Sequence, residues 1–305
     1  MTKLAFFEGD FVPIEEAKIS ITTHTLHYGT GCFAGMRACW NESKQQMYLF
    51  RAQEHFQRML NSARFLYCEL PHSKGELESI TIELLRREKF KENVYIRPIV
   101  YKDEGVFRVW LHDAKDKLAI FAIPAGGYLR NSEGISMCVS SWRRVDDTAI
   151  PARGKVNGSY VNSALAKSEA MLNGFDEAIL LNQDGHVSEA SAANFMIVRD
   201  GKLITPPTTA NLLEGIVRRS ILELATAELN IPIEEREIDR SELYIAEEAF
   251  FCGTGVGIAS IGSIDHRTVG HGKRGEITAK LDDLYRKILI GEHDAYTHWL
   301  TPVYD

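Results

Sequence analysis

The apolar positions of this 305-residue chain fall into two periods, and the switches between them mark out its elements. Phe6-Phe7 and Phe11-Val12 flank Glu8-Gly9-Asp10, the pattern of a hairpin. Over 51–67 the period lengthens: Phe56, Met59, Leu60, Ala63 and Leu66 share one face and predict an amphipathic helix. Ser73 with Glu76 forms a capping-box signal for the next helix, which carries Leu77, Ile80 and Leu84 at helical spacing. Segments 94–101 and 118–123 are rich in branched and aromatic residues and read as strands. The turn-rich stretch from Pro124 to Gly134 then interrupts the pattern. It suggests a small N-terminal domain over 1–124, a linker over 125–134 and a larger domain over 135–305.

The second half alternates strand and helix. Strands are expected at 135–140, 178–181, 187–188, 195–198 and 249–252. Asn182-Gln183-Asp184-Gly185 marks a hairpin turn between two of them. Helices are expected at 159–172, stopped by Asn173-Gly174, and at 213–229, ending before Pro232. Ile277, Leu281, Leu284 and Ile288 mark a C-terminal helix. The sum is a mixed α/β (α+β) chain whose hairpins call for antiparallel or mixed sheets.

Composition narrows the function. Apolar residues make up 45% and charged residues 25%, so a packed core is expected rather than disorder. The net charge of −7 argues against general attraction to nucleic acid or to an anionic membrane. No apolar run approaches the ~20 residues of a membrane span, and the N-terminus does not read as a signal peptide. Cys32, Cys39, Cys68, Cys138 and Cys252 are scattered, odd in number and without a CxxC pair. Free thiols in a reducing cytoplasm are therefore expected.

Five places could carry chemistry. Lys155 sits among small residues before a helix, and an amine in a pocket can form a Schiff base with a carbonyl. From position alone, a solvated loop lysine is the commoner outcome. Glu189, in Ser188-Glu189-Ala190-Ser191-Ala192-Ala193-Asn194, has room beside it for a ring nitrogen to be held protonated, or is a plain strand-end glutamate. Thr205-Pro206-Pro207 leads through Leu213-Glu214-Gly215-Ile216-Val217 into a helix whose N-terminus suits a phosphate. Phe251-Cys252-Gly253-Thr254-Gly255-Val256-Gly257 looks like a dinucleotide loop but runs on into strand-like residues. A glycine turn presenting N–H groups and the Thr254 hydroxyl to an anion fits better. His24 and His27 make an HxxH without a nearby acidic or cysteine partner and read as structural; no metal site is expected.

Together these segments resemble the class IV aminotransferases, pyridoxal-phosphate (PLP) enzymes of fold type IV, and the branched-chain amino acid aminotransferases most. The resemblance runs through His27-Tyr28-Gly29-Thr30-Gly31 with Phe33, Gly35 and Arg37, then 51–58 and Tyr95-Ile96-Arg97-Pro98. It continues through Ser140-Ser141-Trp142-Arg143-Arg144, Lys155 with Tyr160, Glu189 to Asn194, Leu203-Ile204-Thr205 and Gly215-Ile216 to Arg218. It implies a two-domain fold and assigns roles by position. Lys155 binds PLP covalently and carries the reacting proton. Glu189 pairs with the ring nitrogen, and Tyr160 with the ring hydroxyl oxygen. Arg58, the N–H groups of Ile216 and Val217, and Thr254 hold the phosphate, while Leu213 packs on the ring. The substrate pocket involves Phe33, Gly35, Arg37, Tyr95, Arg97, Tyr128, Thr254 and Gly255, with Tyr28 reaching in from a second subunit of a homodimer or higher oligomer.

The implied reaction moves the amino group of L-leucine, L-isoleucine or L-valine to 2-oxoglutarate. Ala125 stands where well-known branched-chain enzymes carry a bulky aromatic, and Asp103 to Trp110 lacks the expected glycine pattern. The same fold with D-amino acid or (R)-amine specificity is an alternative. Its members usually carry Arg-x-His after this strand, where this chain has Arg108-Val109-Trp110. An enzyme like 4-amino-4-deoxychorismate lyase is another, though those chains are usually shorter and lack Tyr-Ile-Arg-Pro. A PLP-binding protein without catalysis would have no need of both Lys155 and Glu189.

Overall fold

The opening hairpin forms as expected, β1 (Leu4–Phe7) against β2 (Asp10–Pro13), in a computed structural model that describes residues 3–105, 107–125 and 134–305. Among the described residues the chain divides into two units. The first comprises the described residues up to 125, 154–159 and 287–305; the second comprises 134–153 and 160–286.

In the first unit, β1 and β2 join β3 (Gly31–Phe33), β4 (Met36–Asn41), β5 (Gln46–Phe50), β6 (Val94–Lys102) and β7 (Asp116–Pro124). With the C-terminal strand Leu300–Pro302 they make an eight-stranded sheet in which every pairing is antiparallel. Three helices belong to this unit: α1 (His24–Tyr28), α2 (Ala52–Phe65) and α3 (Lys74–Glu88). The apolar face of α2 is the one that its periodicity marked, with Phe56, Met59 and Ala63 buried. Ser73 caps α3 as a full capping box with Glu76.

The expected linker lies largely outside the described residues, and the second unit does not run unbroken to the C-terminus. Leu300–Pro302 pairs with β5, and Val156 bridges Cys32 of β3. The edge of the first sheet and the inner side of β3 each take a passing piece of chain as their hydrogen-bond partner. Such long-range pairing leaves no mark on local periodicity.

The second unit holds β8 (Ile135–Arg143), α4 (Tyr160–Leu172), β9 (Glu177–Leu181), β10 (Val187–Ala190), β11 (Asn194–Arg199) and β12 (Lys202–Thr205). It continues with α5 (Ile216–Ala227), β13 (Ile233–Glu235), β14 (Glu248–Gly253), β15 (Gly257–Ile264) and β16 (Arg267–Thr268). The C-terminal helix α6 spans Glu276–Leu289. The nine strands form one mixed sheet, ordered β10-β9-β8-β15-β14-β11-β12-β13 with β16 beside β15. β8 runs parallel to both β9 and β15, while β9–β10 and β14–β15 are antiparallel hairpins. Two alanines, Ala166 and Ala170, face the sheet from α4 and are fully buried against Cys138, Ala178 and Leu180. Their small side chains let helix and strands approach closely.

The glycine turn leads into a strand, β15, as the branched residues after it suggested. Gly253 pairs with Gly257 across an antiparallel hairpin, so the strand–turn–helix context of a dinucleotide loop is absent at this turn. Helix α5 starts three residues later than its apolar pattern suggested. Side chains capture the backbone of Leu213 first: its N–H donates to Glu189 Oε2 (3.3 Å) and its carbonyl accepts from Asn194 Nδ2 (2.9 Å). Gly215 is left extended (φ −70°, ψ 132°) as the N-cap.

Candidate functional site

Each unit assembles its own half of the expected residues. In the first, Lys155 is held through its backbone. Its N–H donates to Ser62 Oγ (3.1 Å) and its carbonyl accepts from the Phe33 N–H (3.1 Å). Ser62 is fully buried on α2 and donates in turn to the Arg58 carbonyl (2.8 Å). One serine therefore ties the Lys155 segment to the turn of helix that carries Arg58. The Lys155 amine lies 5.0 Å from the centroid of the Phe33 ring, within reach of a cation–π contact.

Strand period two gathers the expected pocket residues. Tyr95 and Arg97 are two apart on β6 and share a face, and Arg37 of β4 lies opposite Tyr95 in register. Arg97 donates from Nη2 to the Tyr95 hydroxyl (3.1 Å) and stacks its guanidinium 4.2 Å from the Phe33 ring centroid. A side chain on Gly35 would collide with the Tyr95 hydroxyl, so glycine is what lets that ring sit where it does. Tyr28 ends α1, 6.4 Å from Phe107 between ring centroids. Tyr128 lies outside the described residues. The ring nitrogens of His24 contact Thr30 Oγ1 (2.7 Å) and the Arg108 carbonyl (2.9 Å), and His27 reaches the Ile21 carbonyl (2.7 Å).

In the second unit the centre is Glu189 on β10, with 4% of its surface exposed. Arg144 Nη2 lies 2.9 Å from its Oε1, and Asn194 Nδ2 donates to its Oε2 (3.0 Å). The same Asn194 amide reaches the Leu213 carbonyl, so the carboxylate and the loop into α5 are locked together. Arg144 is 6% exposed and donates from Nε to the Asn211 carbonyl (3.1 Å) on that loop. Arg218 holds the loop's other end, donating to the Pro206 carbonyl (2.9 Å) and pairing with Glu235 (2.6 Å). Tyr160 opens α4, and Thr254 and Gly255 sit half-buried in the β14–β15 turn. The five cysteines are buried and free. Burial pushes the Cys39 and Cys138 thiols up to about 11 and those of Cys68 and Cys252 to about 12, which keeps them from acting as nucleophiles.

The residues fit an aromatic phosphate. α5 begins without a side-chain cap hydrogen bond, so the N–H groups of its first turn, on Ile216 and Val217, face an end suited to a dianion. A Cβ on Gly215 would run into the Asn194 amide oxygen, so backbone and carboxylate network are packed as closely as glycine allows. Gly215→Ala is expected to push Asn194 aside and weaken PLP binding about tenfold, the equivalent of one lost hydrogen bond. A fluorescence titration of the apoprotein with PLP measures this, and unchanged affinity would refute the close-packing argument.

Ser62, Arg144 and Asn194 carry roles that the sequence did not assign. Arg144 and Asn194 lie inside the resembling motifs, whereas Ser62 is one more small residue on the inner face of an amphipathic helix and gives no signal.

The antiparallel sheet of the first unit and the mixed sheet of the second are those of an aminotransferase of fold type IV. The family model for class IV amino-transferases matches residues 31–264, and the chain belongs to that family. It is 49% identical over 301 residues to an Aquifex aeolicus protein named "Probable branched-chain-amino-acid aminotransferase", covering 99% of this chain and 97% of that one. Among solved structures it resembles the branched-chain aminotransferase of Thermoproteus uzoniensis with norvaline (TM-score 0.95, 41% identity, 100% of both chains). It likewise resembles the PLP form of the enzyme from Thermobaculum terrenum (TM-score 0.95, 36% identity, 100% of this chain and 99% of that one).

Proposed function

We propose that this aminotransferase uses PLP to move the amino group of L-leucine, L-isoleucine or L-valine to 2-oxoglutarate. The observation that carries this is the buried Glu189 carboxylate, held on both oxygens in a chain that also carries Lys155 beside Phe33. When bound, PLP supplies a carbonyl for the amino group and a ring that accepts the electron pair left as the α-proton departs. Lys155 Nζ would hold the cofactor and would serve as the amine that carries the α-proton. Glu189 would keep a proton on the ring nitrogen. Tyr160 would donate to the ring hydroxyl oxygen, and Leu213 would pack on the ring face. Arg58, Thr254 and the N–H groups of Ile216 and Val217 would hold the phosphate. Phe33, Gly35 and Tyr95 would shape the side-chain pocket, and the resemblance adds Tyr128. Arg37, Arg97 and the Thr254-Gly255 turn offer donors to the substrate carboxylates.

Self-association as a homodimer or larger assembly goes with this reading and would bring Tyr28 to a neighbouring site. Around α1 the first unit leaves Ile21, Leu26, Phe107 and Val109 exposed by 81, 61, 72 and 84%, apolar side chains that a neighbouring subunit could cover. No helix of the described residues is long and apolar enough to cross a membrane. Reduced, buried cysteines fit a cytoplasmic enzyme.

The test is spectroscopic. Adding L-leucine without an acceptor should discharge the yellow band of the PLP-loaded enzyme and release the matching 2-oxo acid. Silence with L-leucine but a response to D-alanine or (R)-1-phenylethylamine would move the specificity to the D-amino acid and (R)-amine class. An apoprotein that takes up no PLP would overturn the reading as a whole.

A further inference from the structure

We propose that Arg144 is a positioning residue for the cofactor's ring nitrogen, acting through Glu189: it is the cation that keeps this buried carboxylate charged and aimed. The inference rests on the PLP reading above. A carboxylate with so little exposure loses most of its hydration, and it holds its charge only where an opposite charge or several donors replace the water. Glu189 has both. Arg144 lies against Oε1, while Asn194 and the Leu213 N–H donate to Oε2. The amide donors orient the group but carry no charge; Arg144 alone among these partners does.

Arg144 is itself built in. Its backbone N–H donates to the Leu181 carbonyl (2.9 Å) at the end of β9, and its Nε donates to the Asn211 carbonyl. Asn211 adopts a left-handed conformation (φ 54°), and its side chain meets the Asp147 N–H (3.2 Å) and Asn182 Oδ1 (3.2 Å). The guanidinium therefore spans from the carboxylate to the loop that delivers Leu213 and the start of α5. A lysine has one donor point and cannot serve both ends at once.

The consequence is electrostatic. An anionic Glu189 favours a protonated ring nitrogen, and a protonated ring is the better electron acceptor. Without Arg144 the carboxylate would lose the positive charge against its Oε1, and its preference for a ring N–H over a ring C–H would shrink. The quantity to measure is the ratio of affinities for PLP and for 1-deaza-PLP, in which carbon replaces the ring nitrogen.

Arg144→Gln keeps hydrogen-bonding atoms in place but removes the charge. It is expected to cut the PLP preference over 1-deaza-PLP about tenfold, one pK unit of differential interaction, with 1-deaza-PLP affinity itself nearly unchanged. Arg144→Lys should restore the preference to within about threefold, since the cation returns. An unchanged preference in Arg144→Gln overturns the proposal. So does equal loss of affinity for both cofactors, which would mark Arg144 as a structural support of the loop. If Arg144→Gln does not fold, Arg144→Lys decides: retention of the preference supports the role of the charge, and its loss overturns it. Failure of the parent protein to bind PLP would instead strike the underlying reading and is read separately.

Discussion

Lys155→Ala is expected to lower the rate of amino transfer by roughly 10⁴-fold or more, since it removes both the covalent anchor and the proton carrier. The fold should survive. Lys155 is held by its backbone, through Ser62 Oγ and the Phe33 N–H, and alanine keeps both bonds. Its side chain is half-buried beside Phe33 rather than packed in the core, so its loss leaves little cavity. The yellow band should vanish while a fluorescence titration still detects PLP bound through its phosphate. Turnover at a tenth of the parent rate would remove Lys155 from its role.

Glu189→Gln should have the second-largest effect. Glutamine still accepts from Asn194 and the Leu213 N–H through its oxygen, so PLP should bind within about tenfold of the parent affinity. The neutral amide cannot favour a charged ring nitrogen, and α-proton removal is expected to slow by roughly 10²–10³-fold. A second consequence concerns stability. The substitution leaves Arg144, 6% exposed, without its carboxylate, at a cost of about 2 kcal/mol in urea unfolding of the apoprotein. A primary isotope effect on L-[2-²H]leucine would report the slowed step. A near-parental half-reaction would show that another group governs the ring nitrogen.

Local pattern made much of the architecture legible. Period-3.6 stretches marked α2, α3 and α6, because an amphipathic helix buries one face, and enrichment in branched and aromatic residues marked β6 and β7. The capping box of α3 and the β9–β10 hairpin could be read from turn and cap chemistry alone. The short strands β3 and β4 could not: they lie nearly buried on both faces, so no clean alternation marks them. The start of α5 was misplaced for a different reason. Its apolar stripe continues upstream to Leu213, but side chains more than fifteen residues away claim that backbone.

The sequence by itself determined the class of enzyme. A lysine before a helix, a carboxylate in a small-residue strand and a Gly-Ile-Val helix start occur in one order with familiar neighbours, and that order carries the resemblance. It also pointed to free thiols, since the five cysteines are scattered, odd in number and without a CxxC pair, and the structure has all five free. Only the tertiary structure decided what holds these groups. Arg144 and Glu189 are 45 residues apart in number and 2.9 Å apart in space, and Ser62 meets Lys155 across 93 positions. A buried charge has to find its partner wherever the sheet brings one, and nothing in local propensity says where that is.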